Sequence, residues 1–241
     1  DRLAVKNAGI PSFNLMQKAG AVAFAELLET FGEPSFLHIF CGAGNNGGDG
    51  YIIAALAAKQ NIPATIYEVG NTAAISGDAN LAKQLCIEAN VSLQELKIDC
   101  DLSQGVIVDS LLGTGFKGSL RADFAEAIEV INCSFLPVVS IDIPSGLNAD
   151  TGAVEDIAVK ADLTVTFIGA KQGLFTGRGP AVSGEIVYDS LDIPESILQK
   201  IAPSAELMDL SDLLEYLPEP EADVHKSQRG HCMVIGGDLC F

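Results

Sequence analysis

The sequence predicts an α/β fold, a three-layer αβα sandwich of Rossmann-like form around a mostly parallel sheet. Three observations predict it. Short apolar segments alternate with segments of helical spacing from about residue 36 to residue 193. The apolar segments GVIVD, PVVSIDIP and LTVTF are near-continuous rather than alternating in polarity, as strands covered on both faces are. Gly, Asn, Asp and Ser cluster where these segments end.

Residues 1–28 read as a helical cap interrupted at Gly9-Ile10-Pro11-Ser12, after which LMQKAGAVAFAELLE has apolar residues at helical spacing. A strand, FLHIF (36–40), leads into the glycine-rich CGAGNNGGDGY and then a helix, GYIIAALAAKQ. Ile62-Pro63 introduces the strand ATIYEV, and Ser76-Gly77-Asp78 opens the helix ANLAKQLCIEA. VSLQEL reads as a short strand, GVIVDSLLG as a buried strand and RADFAEAIEVIN as a helix. PVVSIDIPSG, ADLTVTFIGA and GEIVYDSLDI supply three further strands. The pattern breaks at LPEPEADVHK (217–226), where prolines and acids mark a boundary. RGHCMVIGGDLCF beyond it reads as a strand and glycine turn opening a second domain.

The net charge of -18 is spread along the chain and weighs against nucleic acid as a partner. No run of about 18 apolar residues and no leader pattern is present, so a cytoplasmic protein without a membrane segment is expected. The six cysteines lie far apart without a C-x-x-C pair and read as reduced core thiols.

In an open parallel sheet, ligands sit beyond the carboxyl ends of the strands. Four such ends are polar or glycine-rich: Asn45, Asn46, Gly47, Gly48 and Asp49; Asp109 with Gly113, Thr114, Gly115, Phe116, Lys117, Gly118 and Ser119; Asp142 to Gly146; and Gly169 to Gly173, which includes Lys171. The first fits G-x-G-x-x-G, and Glu68 stands where a ribose-binding acid would, so a dinucleotide dehydrogenase is one candidate. No Lys-Ser/Thr pair follows the glycines, which excludes a Walker A loop. A glycine turn with amide N–H groups facing outward suits phosphate. Gly113–Ser119 reads either as a second phosphate loop or as a helix start capped by Ser119. Asp142 lies in the apolar VVSIDIP, where a carboxylate must be paired or used. Lys171 can neutralise a phosphate or pair with a carboxylate.

GNNGGDG, VDSLLGTGFKG, SIDIPSGLNADTG and TFIGAKQGL, in this order after AGIPSFNLMQKAG, resemble the NAD(P)H-hydrate epimerase family, the YjeF N-terminal domain, over residues 3–195. VHKSQRGHCMVIGGD resembles the start of the ADP-dependent NAD(P)H-hydrate dehydratase domain, with Ser227 where glycine is common. The resemblance implies an epimerase domain over 1–216 and, over 217–241, a linker and the start of a dehydratase domain. It implies an isomerase that interconverts R and S epimers of NAD(P)H hydrated at C6. By similarity, Asn45 to Asp49, Gly113 to Ser119 and Asp142 contact this substrate. It also implies a potassium ion on Asn46, Asp109 and Ser145, and a homodimer. Asp142 is the expected proton carrier, with Lys171 tuning or orienting beside it.

Overall fold

The computed structural model describes residues 9–97 and 100–208 together with positions 5, 6 and 211. The chain divides into two compact units, Asp1–Ala202 and Pro203–Phe241. The linker and second-domain opening expected over 217–241 lie outside the described residues.

In chain order the first unit runs α1 (Ser12–Phe31), β1 (Leu37–Cys41), α2 (Asn45–Lys59), β2 (Ala64–Glu68), α3 (Gly77–Glu88), β3 (Ser92–Glu95) and β4 (Val106–Ser110). It continues with α4 (Ala122–Cys133), β5 (Val138–Ile141), β6 (Leu163–Phe167), α5 (Gln172–Phe175), α6 (Gly179–Val182), β7 (Glu185–Asp189) and α7 (Glu195–Leu198). All seven strands foreseen from residues 36–193 are present, and the sheet is wholly parallel in the order β3-β2-β1-β4-β5-β6-β7. The chain leaves β1 first toward β2 and later toward β4, so the crossovers diverge between these strands and open a crevice at their carboxyl ends.

Side-chain alternation divides the core between the two faces of the sheet. On β1, Leu37, Ile39 and Cys41 join one apolar cluster with Phe24 and Leu27 of α1, Ile53 of α2 and Cys86 of α3. Phe40 points the other way, into a cluster with Ile107 of β4 and Phe124, Ile128 and Ile131 of α4. The core-thiol expectation holds for Cys41 and Cys86, which are buried, but Cys133 at the end of α4 is exposed. Cys232 and Cys240 lie outside the described residues.

Two boundaries differ from expectation. Helix α2 begins at Asn45, not after the glycines, so NNGGDG forms its opening turns. Glycine costs about 1 kcal/mol relative to alanine inside a helix. Close packing offsets that cost: a methyl on Gly47 would lie 2.0 Å from the Gly42 carbonyl oxygen, one on Gly50 2.1 Å from Ser110 Oγ, and one on Gly42 2.0 Å from the Leu111 oxygen. The glycines therefore let α2 press against the ends of β1 and β4. Helix α4 begins at Ala122 with Arg121 as its N-cap residue, so Ser119 does not cap it. The Ser119 hydroxyl instead donates to Glu155 at 3.3 Å.

The close approach gives a paired expectation for urea denaturation. Gly47→Ala should lose about 1–3 kcal/mol by overpacking. Gly44→Ala, where nothing lies within 4 Å, should change stability by less than about 0.5 kcal/mol. Matching midpoints for the two variants would show that the contact carries no energy.

Candidate active site

A cavity of about 870 Å³ lies along the carboxyl edge of the sheet, over the crevice between β1 and β4. The start of α2 contributes Asn45, Asn46 and Asp49, and the segment after β4 contributes Gly113, Thr114, Gly115, Phe116, Lys117 and Ser119. Asp142 and Lys171 enter from the ends of β5 and β6. The four polar strand ends thus share one site. Gly47 and Gly48 are buried in the first turn of α2, and the Gly48 N–H already bonds Gly44 O at 3.1 Å. Gly118 is placed in the same loop as its cavity-lining neighbours, with φ 84°.

Beneath the cavity, Asp109 is fully buried at the end of β4. Its Oδ2 accepts from Ser140 Oγ at 2.8 Å and Ser145 N at 2.9 Å, and its Oδ1 from Ser145 Oγ at 2.6 Å and Leu111 N at 3.3 Å. Burial raises the Asp109 carboxyl above its usual range, and the bonds from Ser145, Ser140 and Leu111 act in the opposite sense. Leu112 ties Asn46 to this group. Its oxygen accepts from Asn46 Nδ2 at 3.0 Å, and its N–H donates to Ser145 Oγ at 2.9 Å. Asn46 Oδ1 is left buried with no hydrogen-bond partner. Such an orphan costs about 1–3 kcal/mol unless something else meets it.

The second polar group lies at the ends of β5 and β6. Strand β5 stops at Ile141, so Asp142 is not a strand residue as VVSIDIP suggested; it turns there with φ 68°. Its Oδ1 receives Lys171 Nζ in a close ion pair, with Thr166 Oγ1 at 3.4 Å. Lys171 also donates to the Phe167 carbonyl at 2.8 Å, and its side chain is 16% exposed. Between phosphate and carboxylate, the structure gives Lys171 the carboxylate. None of the described hydrogen bonds of Asp142 uses Oδ2, which leaves that oxygen free for a ligand.

Asp49 opens on the same cavity and is half-buried. Burial, followed by the charge of Asp142, raises its carboxyl well above the usual range, with Lys171 opposing. Nothing local announces this, because Asp142 and Lys171 arrive from other strands. Lys117 and Ser119 reach outward, to Asp150 at 3.3 Å and Glu155 at 3.3 Å, and so hold the loop after β4 to residues 150–156.

Glu68 does not serve as a free ribose acid. Its carboxylate takes the Tyr51 hydroxyl, Lys83 Nζ at 2.6 Å and Thr72 Oγ1 at 3.3 Å, and it is 14% exposed. The dehydrogenase candidate therefore lacks its expected acid.

A family model described as YjeF-related protein N-terminus matches residues 12–173. The chain belongs to that family. A bifunctional NAD(P)H-hydrate repair enzyme Nnr of Coxiella burnetii is 39% identical over 238 residues, which cover 99% of this chain and 49% of that protein. An NAD(P)H-hydrate epimerase of Legionella pneumophila (strain Corby) is 33% identical over 199 residues, 80% of this chain and 74% of that protein. The crystal structure of yeast ynu0 shares the fold, with a TM-score of 0.68 and 18% identity over 85% of this chain and 91% of that one. This YjeF-related chain spans about half the length of the bifunctional relatives it matches. Among its described residues, no helix is long and apolar enough to cross a membrane.

The raised Asp49 carboxyl has a consequence for pH. A carboxyl that ionises less readily in the fold than in the unfolded chain favours the fold only while protonated, so its contribution is lost as pH rises from the ordinary carboxylate range through the folded value. Asp49→Asn should therefore melt higher than the wild type at pH 8, with the advantage gone below about pH 4. A pH-independent difference in calorimetric melting temperature would contradict this assignment.

Proposed function

We propose that this chain interconverts the R and S epimers of NADH and NADPH hydrated at C6 of the nicotinamide ring. The observation that carries the reading is the meeting, in one dinucleotide-sized cavity, of an ion-paired carboxylate with a free oxygen (Asp142) and a second carboxyl, Asp49. The hydrated carbon bears a hydroxyl beside the ring nitrogen, so it is a hemiaminal. In one route an acid protonates the hydroxyl, water leaves, and the ring nitrogen's lone pair stabilises the planar iminium. Water then adds to the other face and gives up a proton. In the other route a base takes the hydroxyl proton, the C6–N bond breaks with protonation of nitrogen, and the aldehyde recloses after rotation. Both routes need one group to give a proton and one to take it. Asp142 Oδ2 takes it and Asp49 gives it. Lys171 holds Asp142 in place, while the α2 N-terminus and the 113–119 loop receive the pyrophosphate.

The residues also fit the potassium ion that the resemblance implies. Asn46 Oδ1, Asp109 and Ser145 are an all-oxygen set suited to a hard cation, and Asn46 Oδ1 lacks any other partner. A cation there would be held by Asn46 of α2, Asp109 of β4 and Ser145 beyond β5, and would supply positive charge at the site. The same reading assigns 217–241 to a linker and the start of a dehydratase domain. It extends to the homodimer that the resemblance implies and to the cytoplasmic setting that the sequence leads one to expect.

Incubation with the purified R hydrate, followed by chromatographic separation of the two epimers, tests the reading directly. The wild type should produce S until equilibrium, and Asp142→Asn should be slower by about 10²- to 10⁴-fold. A variant at wild-type rate removes Asp142 from the chemistry. For the cation, melting in potassium chloride should exceed melting in tetramethylammonium chloride of equal ionic strength by about 2–4 °C once potassium exceeds its dissociation constant tenfold. Equal melting curves count against the ion.

A further inference from the structure

We propose that Arg121 recognises the ribose 2′-phosphate that distinguishes the phosphorylated dinucleotide hydrate from the unphosphorylated one; this rests on the hydrate reading of the cavity. The direction in which the substrate lies follows from its reacting end. With the nicotinamide ring at Asp142 and Lys171 beyond β5 and β6, and the pyrophosphate at the start of α2, the adenosine half extends toward the end of β2. In the order β2-β1-β4-β5 that end is three strand spacings from Asp142, or ~14 Å.

Arg121 stands at that end although the sequence places it after β4. Its Nη2 would lie 2.7 Å from a Cβ on Gly70, two residues beyond β2, and its guanidinium sits 4.8 Å from the centre of the Phe124 ring. A guanidinium over the Phe124 ring presents a planar fork of N–H donors, the chemistry that suits a phosphate. The residue lines the cavity, and its side chain is 62% exposed. Its described ion pair is a single contact with the Asp123 carboxylate at 3.3 Å, between partly exposed groups. A pair between partly exposed groups is weak, so a phosphate dianion can take its place.

The acid that would repel a phosphate here has been withdrawn. Glu68, the last residue of β2, is neutralised by Lys83 and hydrogen-bonded to Tyr51 and Thr72. Two further acids stand near this end: Asp123, whose single contact with Arg121 the phosphate would replace, and Asp78, which opens α3 on the opposite face of the sheet from Phe124. In a chain of net charge -18, a guanidinium on an aromatic ring with the strand-end acid neutralised is a local exception suited to a dianion.

The test compares 2′,5′-ADP with 5′-AMP, which differ only by the 2′-phosphate, in calorimetric titrations of the whole chain. The wild type should bind 2′,5′-ADP at least about tenfold more tightly, as expected for a charge-assisted contact. Arg121→Gln should bring the ratio close to one, and Arg121→Lys should restore part of it. A wild-type ratio near one, or a ratio that survives Arg121→Gln, overturns the proposal. With the hydrates as substrates, Arg121→Gln should lower kcat/KM for the phosphorylated form about tenfold more than for the other, through KM. An equal loss on both means that Arg121 serves the part they share, which also overturns it. A wild type that turns over neither hydrate refutes the epimerase reading, and the two nucleotides still decide the role of Arg121.

Discussion

A carboxylate sealed from water must be met by donors, and at the centre of this sheet Asp109 is met from β5, from the loop beyond it and from its own chain. Ser140 approaches along β5, the Ser145 N–H and hydroxyl come from the loop beyond it, and the Leu111 N–H comes from its own chain. Removing one of these leaves a buried acceptor short of a partner, at a cost of about 1–3 kcal/mol. The arrangement fixes more than the two strands. Through Leu112, which Ser145 and Asn46 both hold, the start of α2 is tied to the same carboxylate. Three chain segments that build the cavity floor are thereby held by one buried carboxyl group.

The glycines make that junction geometrically possible. Gly42 meets the Leu111 carbonyl, Gly47 meets Gly42, and Gly50 meets Ser110 and Cys41, all at distances that a side chain would prevent. The helix can begin at Asn45 only because the strand ends come this close. Its N-terminus is then aimed into the cavity, which Asn45, Asn46 and Asp49 line. Packing and ligand binding therefore divide the motif residue by residue. The glycines serve the first, and the polar residues between them serve the second.

This division explains what could be read from the sequence. The strands were legible because near-continuous apolar runs have few other uses, and the wholly parallel sheet follows from their alternation with helices. The start of α2 was not legible, since Asn and Gly are poor helix formers and the contacts that outweigh them involve residues some 60 positions away. Asp142 and Lys171 could be singled out separately by position, but their pairing joins residues 29 apart, beyond the ends of adjacent strands. The state of Asp49 depends on that pair in turn. The engagement of Glu68 was hidden for a similar reason: Tyr51 and Lys83 come from two different helices. Side chains that meet only after the strands are ordered leave no local signature.

The ends of β5 and β6 show how backbone conformation places the reactive pair. Asp142 is the central residue of a tight turn in which Ile143 N bonds Ile141 O at 2.8 Å, and Ile168 is central in its counterpart, with Gly169 N to Phe167 O at 2.7 Å. Both have φ 68°, the strained form of the γ-turn, and a β-branched residue there is unusual. Strain of this kind costs about 1–3 kcal/mol per residue and persists only where surrounding contacts fix it. Here Asp142 N is held by Val165 O at 2.7 Å and Ile168 N by Asp189 O at 2.8 Å, so each turn is anchored to the next strand in the sheet. The result is that the Phe167 carbonyl and the Asp142 carboxylate converge on one lysine ammonium. Relaxing either turn would separate them, so the charge-assisted bonds of Lys171 and the backbone strain that brings its acceptors together are two parts of one arrangement.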